Sequence, residues 1–571
     1  MRRRLLALAG IAAAAALALP GAALAHAALL KTFPQASELL DRQPRLVALT
    51  YDEVVEPRFA IISVTDKDGR SQVTGAPRRS AADPYTLEVP VRTLAEGWYL
   101  VFWRVISADG HPVRGAFTFQ IGPNPGPAPQ FAIPSLSETA TTPSLLVARW
   151  AAFLTAMSAL GLFVLRSVIA RPLVSRVEGT RLRAVSVAFV VALALALVAV
   201  PVYVLVATAQ FALRSVWNVA ALVPLMRVSS FGRGFLDLEL MLGLFGLAAL
   251  VALWLDRPER PRRSLAAILA LAGALLAGGA MLFAPGASGH AAQTAPRPLS
   301  VSLDWLHLAS GSIWLGGLIG LLVLWWSLPA RGRSAGLAVA VPRFSNVAFV
   351  CVLVLVGSGT AAAAIHLPTL ASLWQTSYGK AILVKVALLA AALVLASVNL
   401  LRTKPELQRR EPGDGAARLL RGLVGGEAVL VGSAVFAAAV LSSLPPPAKA
   451  LASLGTPAAR TGPGPVTSVV DQNGYRLEFH VDPNRVGVAN DFAVRILRGG
   501  RPVDRVGVTA TFTMLDMDMP ALSYTLPEHG RGLYERTEPA LVMVGHWGLR
   551  FDFEPPHGAP FTVVIVDRAN G

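Results

Sequence analysis

Eight long apolar stretches constrain the fold of this chain more than any other feature of its sequence. Each is near the length of about 20 residues that an α-helix needs to cross the hydrocarbon core of a bilayer. The chain is 54% hydrophobic and only 15% charged, a composition typical of membrane proteins. We therefore predict eight transmembrane helices. They lie near residues 145–169, 184–208, 235–255, 264–284, 303–326, 344–366, 380–401 and 422–444.

Basic residues are distributed unevenly among the loops between these stretches. Four loops hold 4, 4, 3 and 6 Lys or Arg residues, and the three alternate loops hold 3, 1 and 0. Because basic loops stay in the cytoplasm, the even helix count predicts that both chain termini are periplasmic. The same distribution argues against nucleic acid as a partner, although the net charge is +16. The basic loops are 170–183, 256–263, 327–343 and 402–421, and the others are 209–234, 285–302 and 367–379.

The two ends of the chain differ from the membrane region. Residues 1–25 have the charged start, apolar run and Ala23-Leu24-Ala25 site of a secretory signal peptide. Short alternating β-type runs then predict a β domain on either side of the helices. The predicted fold class is a multidomain membrane protein with an N-terminal β domain, an eight-helix transmembrane bundle and a C-terminal β-sandwich. Its segments are 26–122 (β), 123–143 (linker), 144–445 (helices), 446–465 (linker) and 466–571 (β).

The N-terminal β segment carries a candidate metal site. Cleavage of the signal peptide gives His26 a free α-amine, so that the amine and the imidazole form one chelate. Asp109 and His111 add a carboxylate and a second imidazole, a ligand set that suits Cu(II). Since no methionine lies between Met1 and Met157, we expect no Cu(I) site in this segment. The alternative is that His26 and the Asp-Gly turn have no common role.

The sequence around these residues resembles the CopC copper-binding family. The similar stretches are His26-Ala27-x-Leu29, followed by Pro34, and Trp103-Arg104-Val105-x-Ser107-x-Asp109-Gly110-His111-Pro112-Val113. The resemblance covers residues 26–122. It implies a small Greek-key β-barrel with His26, Asp109 and His111 as its Cu(II) ligands.

Ionisable and soft side chains gather at the outer ends of the predicted helices. Such groups are costly near hydrocarbon and indicate a functional site, whereas single interfacial side chains can simply reach water. Deeper in the membrane, Glu427 and Lys385 are candidates for a buried pair. The candidate transport path consists of Met281, His290, Asp304, His307 and His366.

The second half of the membrane region resembles the CopD copper-resistance family, most strongly over residues 300–445. The resemblance implies copper movement across the inner membrane, commonly inward. Arg149-Trp150 also resembles Asp304-Trp305 in its placement, which favours a parallel duplication of four helices. The similar stretches are Asp304-Trp305-Leu306-His307, Trp314-Leu315-Gly316-Gly317, Gly357-x-Gly359, Tyr378-Gly379-Lys380 and the single residues Lys385, Asn399 and Glu427.

The C-terminal β segment contains a methionine-rich motif. Met517 and Met519 would share one face of a strand, and thioethers are soft ligands for Cu(I). The alternative is a core filled by methionine. The segment resembles the YtkA-like and FixH-like domains. Its candidate metal site consists of Met517, Met519, His529, Met543 and His546.

Together these features predict copper transport across the bacterial inner membrane, inward, after periplasmic capture of Cu(II). Copper ions, the lipid bilayer and periplasmic copper chaperones are the expected partners, and we expect no enzymatic activity. The chain has no phosphate-binding loop, so movement would be passive or coupled to an ion. Two alternatives stay open: copper sequestration or delivery without transport, and a haem-type electron-transfer module.

Overall fold

The computed structural model of the chain describes two compact units. One unit contains the long helices, and the other combines the two terminal β segments with residues 367–379. The described residues are 29–36, 38–107, 112–124, 142–212, 230–260, 262–288, 296–329, 333–407, 414–444, 456–516 and 521–570, with a few shorter pieces.

The N-terminal β segment forms two facing sheets of four strands, ordered β1-β3-β6-β5 and β2-β8-β7-β4. Alternate residues of the third strand are buried, as expected for a strand with one face in a core. Tyr51 meets Trp103 of the opposite sheet edge to face, with ring centroids 5.8 Å apart. The strands are β1 Leu29–Phe33, β2 Leu39–Leu40, β3 Leu46–Tyr51, β4 Ile61–Asp66, β5 Arg78–Arg79, β6 Thr86–Pro90, β7 Gly97–Ile106 and β8 Pro112–Ile121.

The C-terminal β segment is a sandwich of two larger sheets. One contains β10-β11-β12-β17-β16 with β13 at its side, and the other β15-β14-β18-β19-β9. Phe479 and Phe551 join the sheets across the core at 4.8 Å. The strands are β9 Ala459–Arg460, β10 Val466–Gln472, β11 Tyr475–Asp482, β12 Asn490–Arg498, β13 Arg501–Pro502, β14 Gly507–Met514, β15 Leu522–Thr525, β16 Glu528–Gly530, β17 Leu533–Glu538, β18 Gly545–Glu554 and β19 Phe561–Ala569.

The two β segments are joined by a backbone contact at one edge of β8. The Ala116 N–H donates to the Val542 carbonyl at 2.9 Å. A Cβ atom on Gly115 would lie only 2.8 Å from the same carbonyl oxygen, so glycine is needed for this approach. The hydrogen bond covers part of the open edge of β8, and an open sheet edge otherwise invites pairing with other chains.

Within the described residues, eight helices are long and apolar enough to cross a membrane. The predicted fold class is therefore confirmed, although several helices begin earlier than their apolar stretches. The reason is that the helical hydrogen-bond pattern continues through polar turns that hydropathy does not detect. The helices are α1 Pro143–Val164, α2 Arg183–Ala212, α3 Ser230–Leu255, α4 Leu265–Ser288, α5 Arg297–Ser327, α6 Arg333–His366, α7 Ser377–Val398 and α8 Asp414–Leu441.

Helices α1 and α5 cross at a pair of glycines in the middle of the bundle. A Cβ atom on Gly161 would lie 2.7 Å from the Gly316 Cα atom, and small residues permit such close packing of membrane helices. The glycines are 155 positions apart, as are Trp150 and Trp305. The Trp150 indole donates to a carbonyl of α8, and the Trp305 indole to one of α4. These matching contacts support the predicted duplication.

A buried ion cluster ties the end of α1 to the connection between α3 and α4. Asp256 is 5% exposed and accepts hydrogen bonds from Arg166 and Arg171. Arg263 lies 3.4 Å from the same carboxylate. One carboxylate thus serves three guanidinium groups, which fixes the helix ends relative to each other.

We predict that Gly115→Val weakens the contact between the β segments and also strains the N-terminal core, because its Cβ atom would lie 2.8 Å from the buried Trp103 ring. The added side chain would collide with the Val542 carbonyl, so the Ala116 hydrogen bond would be lost. Hydrogen exchange of the full-length protein should show the Ala116 amide and residues 540–545 exchanging about tenfold faster, as expected for the loss of one hydrogen bond. Ala82→Val, at an exposed loop position, is the control. Unchanged exchange in Gly115→Val would contradict the prediction.

Candidate functional site

Six residues of the predicted sites lie outside the described residues, namely His26, Asp109, His111, His290, Met517 and Met519. For the N-terminal site, the structure does show the strands on either side. Strands β7 and β8 pair continuously as far as Ile106 and Pro112, so residues 107–111 connect the two strands of a hairpin.

Two arginines face each other across this hairpin. Arg104 of β7 pairs in register with Arg114 of β8. Burial and the neighbouring Arg114 charge lower the pKa of Arg104 to about 10. The group therefore stays cationic at neutral pH, close to the end of the hairpin.

In the membrane unit, His307 is held between two polar side chains. The Lys385 ammonium lies 3.2 Å from the His307 Nε2 atom. Since an ammonium can only donate, Nε2 is the acceptor and the ring proton is on Nδ1. Nδ1 then donates to the Ser358 hydroxyl at 3.1 Å. The Ser358 hydroxyl donates in turn to the Val354 carbonyl of its own helix at 2.6 Å.

Asp304 supplies the negative charge of this site. It lies one turn before His307 on α5 and interacts electrostatically with Lys385 of α7. The structure thus brings Asp304, His307, Lys385 and Ser358 together from α5, α6 and α7. We call these four residues the α5–α7 cluster.

Two glycines make room for the α5–α7 cluster. A Cβ atom on Gly286 of α4 would lie 2.7 Å from the Asp304 carboxylate. A Cβ atom on Gly359 of α6 would lie 3.2 Å from the His307 ring. The Gly357-x-Gly359 motif therefore has a local reason, because a larger residue at 359 would press against the imidazole.

Two members of the predicted transport path are not part of this cluster. Met281 is fully buried, but it lies on the face of α4 turned away from Gly286. Met281 lies closer to the face of α4 that carries Gly278, where Leu160 and Phe245 pack. His366 ends α6, about 12 Å along the helix from Ser358. The structure thus places Met281 and His366 outside the α5–α7 cluster, and their part in the transport path stays a prediction.

The predicted pair of Glu427 and Lys385 is also wrong. Glu427, 3% exposed, accepts a hydrogen bond of 2.9 Å from the Asn399 amide. Asn399 and Lys385 are 14 residues apart, or about 21 Å along a helix. Hydropathy does not show how deep in the membrane each residue lies, so the sequence did not reveal that Lys385 and Glu427 lie at different depths.

In the C-terminal sandwich, His546 is anchored by Asp516. Its backbone N–H donates to Asp516 at 2.6 Å, and Nδ1 lies 3.1 Å from both carboxylate oxygens. A carboxylate behind one ring nitrogen is the common support of a metal-binding histidine. A Cβ atom on Gly545 would lie 2.6 Å from the Met514 methyl group, so Met514 lies beside the pair.

A second carboxylate lies near His546. Burial raises the pKa of Asp567, an effect opposed by hydrogen bonds from Thr461 and Asn484 and by the charge of His546. The histidine is therefore within electrostatic range of two acidic side chains, which favours a cation at this place.

His529 does not belong to this site. It lies on β16 of the opposite sheet, half exposed, with Nδ1 3.7 Å from Glu535. The sequence offered either His529 or His546 as the histidine that completes a Cu(I) site. Met543 is buried next to Trp547, whose indole donates to the Met543 carbonyl.

Sequence reasoning missed three residues of these sites. Ser358 lies between the two glycines of the Gly357-x-Gly359 motif, and Asp516 directly precedes Met517. Thr403 is fully buried, four residues after Asn399, and no sequence motif marks it. Among the described residues, no group of three or more His, Cys, Asp or Glu side chains is close enough to hold a metal ion.

Two family models match the chain. A model described as "CopC domain" matches residues 29–122, and one described as "Copper resistance protein D" matches residues 338–441. The second match begins in α6 and ends in α8. It contains Ser358, Lys385 and Glu427.

The chain is also similar to individual proteins. It is 27% identical over 541 residues to the copper transport protein CutJ of Bacillus subtilis (strain 168), covering 93% of this chain and 94% of that protein. It is 31% identical over 106 residues to copper resistance protein C of Escherichia coli, covering 17% of this chain and 83% of that protein. The crystal structure of CopC from Methylosinus trichosporium OB3b is 33% identical, with 18% of this chain and 99% of that chain covered and a TM-score of 0.17.

Proposed function

We propose that this protein, which belongs to the CopC family through residues 29–122 and fuses that domain to a CopD membrane domain, imports copper across the bacterial inner membrane. The observation that carries the proposal is the α5–α7 cluster, a buried imidazole and carboxylate in the membrane unit. The loop charges support a periplasmic position for both β segments. The proposed role is transport rather than catalysis.

In this proposal the N-terminal domain captures Cu(II) before it reaches the helices. His26, Asp109 and His111 would be its ligands, with the α-amine of His26 completing the chelate. A donor tethered to the membrane domain acts at high effective concentration. Periplasmic copper chaperones are the proposed source of the ion.

The α5–α7 cluster suggests how copper enters the membrane. Lys385 occupies the His307 Nε2 lone pair that a metal ion would need. An arriving copper ion would displace the ammonium and bind Nε2 beside the Asp304 carboxylate. When copper leaves, Lys385 returns, so the cluster is never left with an uncompensated carboxylate, which would be costly in the membrane.

The C-terminal domain is proposed to be a YtkA-like or FixH-like domain that binds Cu(I). His546, held by Asp516, and the nearby Met514 provide nitrogen and soft sulfur donors. Met543, Met517 and Met519 are the further candidate ligands. The Ala116 hydrogen bond to Val542 supports a shared role with the CopC domain, because it joins β8 to the residue before Met543.

The alternatives have weaker support. A haem would need histidines from two helices as axial ligands. His366, the other described histidine of the membrane unit, lies about 12 Å along α6 from Ser358, the residue that contacts His307. Sequestration without transport would need only the outer domains, and it gives no role to the α5–α7 cluster.

The first prediction concerns His307. His307→Ala should abolish copper uptake by proteoliposomes and by expressing cells, because it removes the imidazole that receives the ion. His480→Ala, at an exposed position of β11, is the matched control. Inserting a glycine between Ala25 and His26, which separates the α-amine from the imidazole, should reduce uptake only at low copper. Full uptake by His307→Ala would exclude the proposed path.

Replacing Lys385 tests the displacement step. In Lys385→Met no ammonium competes for Nε2, so copper should bind about tenfold more tightly, or about 1.4 kcal/mol. Turnover should fall, because nothing returns to release the ion. Equilibrium copper binding and uptake rates in the same preparation measure both effects. Lys380→Met, exposed on the same helix, should change neither. Unaltered affinity in Lys385→Met would contradict the displacement.

The C-terminal site is tested by Cu(I) titration of the full-length protein against a chromophoric competitor. His546→Ala should lower the stoichiometry by one ion, whereas His529→Ala should leave it unchanged, because His529 lies on the other sheet. An equal stoichiometry in wild type and His546→Ala would show that the Asp516 and His546 pair is structural.

A further inference from the structure

A second polar site lies at the end of the membrane unit opposite to the α5–α7 cluster. After Val398 the α-helical pattern of α7 changes to a π-helical segment, Asn399–Thr403. Such segments occur often at functional sites. Glu427 of α8 packs against it and accepts the hydrogen bond from the Asn399 amide nitrogen.

Two oxygen atoms of this segment are buried without hydrogen-bond partners. They are the Asn399 Oδ1 atom and the Thr403 Oγ1 atom. Thr403 has no exposed surface and follows Asn399 by four residues, so both side chains lie on about the same face of the helix. The two unpaired oxygens thus lie on about the same face of the helical segment whose Asn399 amide nitrogen contacts Glu427. Burying unpaired acceptors is costly unless a ligand compensates them.

The Glu427 carboxyl has no ion-pair partner among the described residues, although Arg402 and Lys404 flank Thr403 in the chain. Lys385 is about 21 Å away along the helix axis. A cation from solution could therefore reach Glu427 without displacing an ion pair.

We propose that Glu427, Asn399 and Thr403 bind Na⁺. Oxygen ligands suit hard cations, whereas copper favours nitrogen and sulfur. A single negative charge matches a monovalent ion. A proton on Glu427 would satisfy only one further acceptor, whereas a metal ion contacts all three oxygens at once.

The position of this site gives Na⁺ a role as the coupling ion. Helix α7 carries Lys385 near one end and Asn399 near the other, so a movement of α7 changes both sites together. Most of α7 is not covered by the rest of the protein, so few buried contacts oppose such a movement. The coupling role rests on the proposed copper transport, whereas Na⁺ binding itself does not.

Thermal unfolding in detergent tests the binding. Replacing choline chloride by NaCl at constant ionic strength should raise the Tm of the wild-type protein by about 2 °C and should saturate, because a ligand that binds the native state stabilises it. Glu427→Gln and Thr403→Val should lose this shift. Glu239→Gln, a membrane carboxylate on α3, is the matched control and should keep it.

The variants distinguish a binding site from a structural one. Thr403→Val keeps the side-chain volume and removes one oxygen atom. This variant therefore tests Na⁺ binding even if Glu427→Gln does not fold. A Tm shift that is absent in the wild type, or equal in wild type and Thr403→Val, would overturn the proposal.

Copper uptake by proteoliposomes tests the coupling. An inward Na⁺ gradient should accelerate wild-type uptake severalfold and should have no effect on Thr403→Val. Uptake that depends on His307 but not on Na⁺ would remove the coupling and leave the proposed transport intact. A sodium-dependent Tm shift without any copper uptake would leave the Na⁺ site and remove the proposed transport.

Discussion

Paired charges inside the membrane unit organise this bundle. Asp304 and Lys385 neutralise each other beside His307, and Asp256 is surrounded by three arginines. Each arrangement joins helices that are distant in sequence. Because an isolated charge in hydrocarbon costs several kcal/mol, these contacts fix which helix faces meet, whereas Glu239 and Glu427 have no ion-pair partner among the described residues.

Close backbone approach is the second constraint. Gly161 and Gly316 let α1 and α5 cross at the centre of the membrane unit, and Gly115 lets β8 meet the Val542 carbonyl. The first contact sets the spacing of the helices that carry the duplicated tryptophans. The second joins the CopC domain to the C-terminal sandwich. Both approaches would be blocked by a single Cβ atom, so each depends on glycine.

The relation between the two polar layers gives the proposed cycle a physical basis. The layer around His307 has an imidazole, a carboxylate and an ammonium, the groups that the proposed copper exchange uses. The layer around Glu427 offers mainly oxygen atoms, which suit a hard ion. Because Lys385 and Asn399 lie on one continuous helical segment, a movement of that helix would change both layers in the proposed cycle.

Hydropathy determined the eight helices, and β-type alternation determined the two β segments, because these patterns depend only on local sequence. Local motifs likewise identified His307, Asp304 and His546. Only the tertiary structure decided their partners. It paired Lys385 with His307 instead of Glu427, and placed His529 and His546 on different sheets. The physical reason is that the face and depth of a side chain follow from how whole helices and sheets pack, and this packing depends on residues far apart in the chain.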